Sequence, residues 1–243
     1  MNQNCFIMKE QAKRIQTSIL NAAEKKVLVW LAERQPKWMT SDILTFIGVL
    51  GAIIVAVGYA LSNYNINWLW LSTFGFFVNW YGDSLDGTLA RVRGTQRPIY
   101  GFYLDHNIDG ITIALMCIGA GLSKLLNLYI AMGVLVVYLL LSISVYINSH
   151  LKGEFKLTYA GMGPTEFRLI IMIVNTLFIF IAPLREFSTE FSVLGTSVCF
   201  GAFDFIGCAL LLILLVIHIH NFVNDAKGYA KIDPLKKWEG KSN

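Results

Sequence analysis

The sequence predicts an all-α integral membrane protein, six transmembrane helices preceded by an N-terminal amphipathic surface helix. Composition is the first reason: 55% of the 243 residues are hydrophobic and only 15% are charged, whereas soluble domains carry roughly 25% charged residues. The second is a succession of apolar segments after Pro36, each near the roughly 20 residues that cross a hydrocarbon core. The third is charge placement, since 18 of the 20 Lys and Arg fall on one side of the threading these segments impose. The length suits one membrane domain.

In the stretch MKEQAKRIQTSILNAAEKKVLVWLAER, Ile15, Ile19, Ala22 and Ala23 recur at helical spacing, as do Val27, Trp30 and Leu31. Lys13, Arg14, Lys25 and Lys26 occupy the remaining faces. This pattern predicts a helix lying on the membrane surface, with a soluble partner-binding helix as the alternative. The cleavage site and long apolar core of a signal peptide are absent from it. Residues 1–36 form this interfacial unit, 37–225 the six-helix domain and 226–243 a basic tail. Spans are expected at 43–61, 67–85, 100–121, 126–148, 165–184 and 198–222. Polar links such as SNYNIN and the turn RGTQRP separate them. The four cysteines, Cys5, Cys117, Cys199 and Cys208, have no metal-ligand or redox spacing and read as packed side chains.

The Lys and Arg lie in the N-terminal tail, the 90–98 link, the 151–168 region and the C-terminal tail, leaving Lys124 and Arg185 opposite. Such asymmetry places both termini and the 90–98 link in the cytoplasm. That link is flanked by four carboxylates. Asp83 and Asp86 are three residues apart and Asp105 and Asp109 four apart, so each pair shares a helix face. A short link makes the two helices antiparallel neighbours whose acidic faces meet at the cytoplasmic end. Four converging carboxylates cannot all stay ionised without a cation. Their hard oxygens suit Mg²⁺ or Mn²⁺, and the number suffices for two ions. Helix capping or loop solvation is the plainer reading, which four acids in this pattern disfavour. Gly87, Ala90 and Gly101 would allow close approach of a backbone or a phosphate, and Arg91 could pair with phosphate or carboxylate.

The same residues carry a resemblance. Asp83, Asp86, Gly87, Ala90, Arg91, nine intervening residues, Gly101, Asp105 and Asp109 resemble the signature D-x2-D-G-x2-A-R-x8/9-G-x3-D-x3-D of the CDP-alcohol phosphotransferases. The resemblance covers roughly residues 36–225 and includes the six-span plan. It implies transfer of a substituted phosphate from a CDP-alcohol to a second alcohol's hydroxyl, with release of CMP. It further implies that Asp83, Asp86 and Asp105 hold metal and that Asp109 is both ligand and general base. The nucleotide would lie against Asp83, Gly87, Ala90, Arg91, Gly101 and Thr45. Thr45 closes a T-S-D-x-x-T stretch similar to the family's T-P-N-x-x-T, with Ser41 and Asp42 replacing proline and asparagine. Asp42 could simply cap the first span. A homodimer in a bacterial inner membrane, or an equivalent one, is what family and compact size imply. Partners would be nucleotide, lipid and metal, not nucleic acid.

The D-H-x-x-D form of Asp105, His106 and Asp109, and GPTE at Gly163–Glu166, resemble the choline and ethanolamine phosphotransferase branch. This favours a CDP-linked headgroup as donor and a diacylglycerol-like hydroxyl as acceptor. The alternative donor is CDP-diacylglycerol, with a small polyol, polyol phosphate or amino acid as acceptor. Asn79, His106, Glu166 and Arg168 are the candidate substrate contacts. Asn79 could instead bond between helices, His106 could be packed, and Glu166 could be a first-turn acid favoured by the helix dipole. Glu166 favours a cationic headgroup and Arg168 an anionic one. Apart from the resemblance, a divalent-cation transporter is the chief rival, although such sites tend toward the midplane between repeats. A non-catalytic scaffold is the third class, disfavoured by retention of all four acids.

Overall fold

The computed structural model describes residues 13–15, 20–152, 154–156, 163–193 and 196–235. Among the described residues, eight α-helices carry the architecture: α1 Asn21–Glu33, α2 Ser41–Leu61, α3 Leu69–Val92, α4 Pro98–Gly121, α5 Leu128–Lys152, α6 Pro164–Phe180, α7 Ala182–Glu186 and α8 Ala202–Ile232. Two short strands, β1 Lys13–Ile15 and β2 Glu154–Lys156, pair in parallel. An antiparallel hairpin, β3 Ser188–Val193 and β4 Thr196–Gly201, sits between α7 and α8.

Helices α2, α5 and α8 are individually long and apolar enough to cross a bilayer. The other three expected spans correspond to α3, α4 and α6. The first two carry the aspartates inside the helix, and α6 is only 17 residues long with Glu166 and Arg168 in its first turns. Two boundaries depart from expectation. Residues expected to begin the last span at 198 belong to strand β4, and α8 runs past residue 225 to Ile232. Its far end is tied to α5, where Asn148 donates to Asp225 at 2.6 Å and accepts from Tyr229 at 2.7 Å. Cys199, expected to be packed, is exposed on β4, while Cys117 is buried.

The N-terminal expectation also changes. Lys13–Ile15 is a strand, and the helix begins only at Asn21; Cys5, Ile19 and the tail beyond 235 lie outside the described residues. Leu28 and Ala32 of α1 are buried with Leu85 and Leu89 of α3 and with Leu44 of α2. Apolar burial therefore holds this helix on the bundle.

Glycines set the closest contact. Gly48, Gly51 and Gly58 of α2 meet Gly82, Asn79 and Ser72 of α3, and a Cβ on Gly75 would lie 2.6 Å from the Val55 amide nitrogen. Small residues let the two backbones touch, as membrane helices require when no hydrophobic drive separates protein from lipid. Ser72 then donates to the Val55 carbonyl at 2.8 Å and Asn79 to that of Gly48 at 2.9 Å. Helix α4 also packs on α2, with Gly119 against Ala56. Helices α3 and α4 thus share α2 as their support and do not pack closely on each other, contrary to the expected direct pairing. A second cluster of Tyr59, Phe76, Ile130, Phe178 and Phe203 joins α2, α3, α5, α6 and α8.

Candidate metal and phosphate-transfer site

The chain turns between α3 and α4 by a short link. Gly94 has φ +65°, a left-handed conformation that suits glycine, and the following Thr95 amide bonds back to the Ala90 carbonyl at 3.0 Å. Pro98 then opens α4, where its missing N–H costs nothing. Arg93 anchors the turn by donating to the carbonyls of Gln35, Pro36 and Met39. Arg97 pairs with Asp42 at 3.3 Å. The α2 cap is not Asp42 but Thr40, whose hydroxyl accepts from the Ile43 amide at 3.2 Å.

Across the cleft, one carboxylate oxygen from each of Asp83, Asp105 and Asp109 lies within 4.8 Å of the others, and all three residues are half-buried. Asp83 comes from α3 and the other two from α4, at the i, i+4 spacing read from the sequence. Three hard oxygens at this separation fit a small divalent ion whose bonds are about 2.0–2.1 Å long, with room left for waters or phosphate. Among the described residues this is the acidic cluster that suits a metal.

Asp86 is arranged differently. It is buried; its Oδ2 accepts the Thr45 hydroxyl at 2.7 Å, and its Oδ1 accepts the Gly87 amide. Ser41, on α2 below Thr45, adds a bond to the Asp86 carbonyl at 3.0 Å. Thr45 therefore reaches the site through Asp86. The fourth carboxylate of the expected set is fastened to α2 rather than gathered with the other three.

Arg168 enters from α6 and contacts Asp83, Nη2 to Oδ2, at 2.5 Å, with both side chains largely buried. The guanidinium also acts electrostatically on Asp109. Arg91 donates to Thr88 at 2.9 Å. Ala90 is buried. Gly101 has open space where a side chain would begin, and a Cβ at Gly87 would meet only the tip of Arg91, at 3.5 Å. Neither position is crowded. His106 stacks on Phe102 at 4.0 Å between centroids, lies 4.6 Å from the Tyr146 ring, and sets Nδ1 3.7 Å from Asp105.

Two expected substrate contacts are used otherwise. Asn79 is 1% exposed, wedged between α2 and α3, so its role is the interhelical bond to Gly48. Glu166 directs Oε2 to the Gly163 amide and Oε1 to the Leu20 amide, both at 2.9 Å. It caps α6 and fastens the start of α1.

Tyr138 and Tyr146 of α5 were missed by the sequence reading, although both lie within the electrostatic reach of Asp109. The available signal was the i, i+4 polar stripe Tyr138, Ser142, Tyr146 on an otherwise apolar helix. Glu24 was also missed; it binds Trp80 and Thr165 at 2.8 and 2.6 Å, and nothing in its sequence surroundings marks it.

Comparison with known proteins identifies the family. The chain is 32% identical over 84 residues to a phosphatidylinositol phosphate synthase of Cutibacterium acnes (strain DSM 16379 / KPA171202), a match covering 35% of this chain and 38% of that protein. Residues 38–220 match the family described as CDP-alcohol phosphatidyltransferase. With this match spanning most of its length and including every aspartate of the cleft, the chain belongs to the CDP-alcohol phosphatidyltransferase family.

Proposed function

We propose that this chain transfers a substituted phosphate group from a CDP-alcohol to the hydroxyl of a second alcohol, releasing CMP, with α2 to α6 and α8 all crossing the membrane and the aspartate cleft at its cytoplasmic edge. The observation that carries this is that one carboxylate oxygen from each of Asp83, Asp105 and Asp109 lies within 4.8 Å of the others, brought together by two helices that otherwise pack little on each other. These three residues would hold Mg²⁺ or Mn²⁺, and Asp86 would join them for a second ion on exchanging its Thr45 bond. Bound there, the metal supplies positive charge against the pyrophosphate.

The protein's own groups do the rest. The uncrowded positions Gly87 and Gly101 admit the nucleotide, with Arg91 beside it. Asp109 accepts the proton of the acceptor hydroxyl as its oxygen bonds to the distal phosphorus. The bond from that phosphorus to the oxygen shared with CMP breaks, and CMP departs. Proton acceptance at this step is worth on the order of 10²–10⁴ in rate.

For the substrates, we infer CDP-diacylglycerol as donor and a small acceptor with an anionic group, such as a polyol phosphate. Arg168 supports this, as an arginine in direct contact with Asp83 of the three-carboxylate cluster. The name of the Cutibacterium relative accords with it. Glu166, the residue that favoured a cationic headgroup, is occupied by two backbone amides. A second reading, CDP-choline or CDP-ethanolamine onto a lipid hydroxyl, draws support from His106 between Phe102 and Tyr146, since aromatic faces attract quaternary ammonium groups.

The test is CMP release by the purified full chain with Mg²⁺ or Mn²⁺. CDP-diacylglycerol would be supplied with inositol, inositol phosphate, glycerol phosphate or serine, and CDP-choline or CDP-ethanolamine with diacylglycerol. Metal-dependent CMP with the first donor and a phosphorylated polyol is the expected result. Release only from the headgroup donors would reverse which substrate carries the lipid. No release from any pair would remove the proposed reaction.

A further inference from the structure

Glu24 makes an unusual junction. One carboxylate oxygen, Oε1, accepts from the Trp80 indole N–H of α3 at 2.8 Å and from the Thr165 hydroxyl of α6 at 2.6 Å. Trp80 lies three residues before Asp83, and Thr165 three before Arg168, so each donor is one turn from a member of the Arg168–Asp83 pair. The apolar seat of Leu28 and Ala32 fixes α1 to α3. Helix α3 also packs directly on α6 through Phe76 and Phe178, and at the first turn of α6 the bonds of Glu24 to Thr165 and of Glu166 to the Leu20 amide add α1 to that contact.

A carboxylate suits the junction because charge-assisted bonds are about twice as strong as neutral ones. Alanine there would leave an indole N–H and a hydroxyl without their acceptor. The first turn of α6 would then be held to α3 less firmly, and Arg168 with it, although the deeper contact of the two helices remains. A guanidinium held on Asp83 offsets negative charge in the three-carboxylate cluster and opposes a second cation there. Releasing it strengthens the cluster's pull on a divalent ion.

We propose that Glu24 is a positioning residue that clamps α6 to α3, holds Arg168 on Asp83 and thereby sets the affinity of the cleft for a divalent cation. This rests on Asp83, Asp105 and Asp109 being that cation's site. The experiment is Mn²⁺ binding to the full chain in detergent, read from the free-ion paramagnetic resonance signal without any substrate. Glu24→Ala should tighten Mn²⁺ binding threefold or more, and Arg168→Gln should do the same. The double variant should show no further gain. Glu24→Gln, which keeps an acceptor oxygen, should restore most of the wild-type affinity, and Thr165→Val, which removes one of the two donors, should fall between. Unchanged affinity in Glu24→Ala, or an equal shift with and without Arg168, overturns the clamp. Because the readout is binding, the two readings fail separately. A chain that shows this coupling but releases no CMP loses the proposed reaction and keeps the clamp; one that releases CMP without the coupling loses only the clamp.

Discussion

Thr45 of α2 donates its hydroxyl to Asp86 of α3 at 2.7 Å, between two helices whose backbones meet at Gly48 and Gly82. The bond explains why the four aspartates are not equivalent in this structure. Three face one another across the cleft, while the fourth is held by a neighbouring helix and by the Gly87 amide. Helix α2 therefore supports the cleft in two ways, as the common seat of α3 and α4 and as the partner that orients one acid.

From that arrangement follows a graded pair of effects. Asp105→Asn removes a charged oxygen from the cluster and should lower metal-dependent CMP release by at least about a hundredfold, beyond the roughly 10–100-fold of residues that only support a ligand. Membrane insertion should be unchanged, because hydrophobic length and flanking charge determine it. Thr45→Val acts one bond further out and should cost roughly 10–100-fold, the usual scale for a residue supporting a metal ligand. Rates measured across a Mn²⁺ titration, with membrane-fraction yields as control, check both. Full activity in Asp105→Asn would sink the site.

Glu166 gives a contrasting expectation. Its two oxygens satisfy the backbone amides of Gly163 and Leu20, so Glu166→Ala should destabilise the protein by about 1–2 kcal/mol. Its ratio of rates between CDP-diacylglycerol and CDP-choline should not move. Thermal unfolding in detergent and a two-donor rate comparison measure the two halves. A changed donor ratio at unchanged stability would return Glu166 to the substrate.

Gly75 and Gly82 support the cleft from a distance. A Cβ at Gly75 would lie 2.9 Å from the Gly51 carbonyl oxygen, and one at Gly82 would overlap the backbone of Gly48. Backbone atoms cannot turn aside as side-chain tips can. Gly82→Val should therefore separate α2 from α3 at a cost of about 1–3 kcal/mol or more, visible as a lowered unfolding temperature and loss of Mn²⁺ binding. Gly101→Ala, inside α4 where nothing lies within 4 Å, should not destabilise the protein and should gain up to about 1 kcal/mol of helix stability.

Much of this was legible in the sequence, for reasons that differ by residue. The acids of α3 and α4 could be found because helical spacing is local: three or four residues fix a shared face before any packing is known. The apolar segments were visible because hydrophobic length is a property of composition. The arrangement of α3 and α4 on α2 was not legible, since a short link fixes proximity of ends but leaves open which helix each face meets. Asn79 illustrates the same gap. Its position one turn before Asp83 was correct, yet only the meeting of Gly48 and Gly82 shows that its face is buried in an interhelical seam. Glu166 was read as an acid near a helix start, which holds, but its second partner Leu20 is 146 residues away. Charge near the start of α6 could be counted, but how it was spent could not.

Arg168 provides the sharpest division between the two substrate readings. Its guanidinium lies at the rim of the acidic cluster, close to Asp83 and within reach of Asp109 electrostatically. An acceptor carrying phosphate would gain a charge-assisted contact there, of the bidentate kind that arginine makes and lysine does not. Arg168→Lys should then raise KM for a phosphorylated polyol about tenfold while changing KM for an unphosphorylated polyol less than about threefold, since a hydrogen bond to a charged group is worth roughly 1.5–3 kcal/mol. The effect should sit in KM because the contact forms equally in the bound and reacting states. If the headgroup-donor reading holds instead, removing a cation from the cleft should favour CDP-choline, and Arg168→Lys, which keeps the charge, should leave its KM untouched. Steady-state CMP release with each donor and acceptor pair separates these outcomes. A fall in kcat for every pair, with KM constant, would place Arg168 on the transferring phosphate rather than on the acceptor.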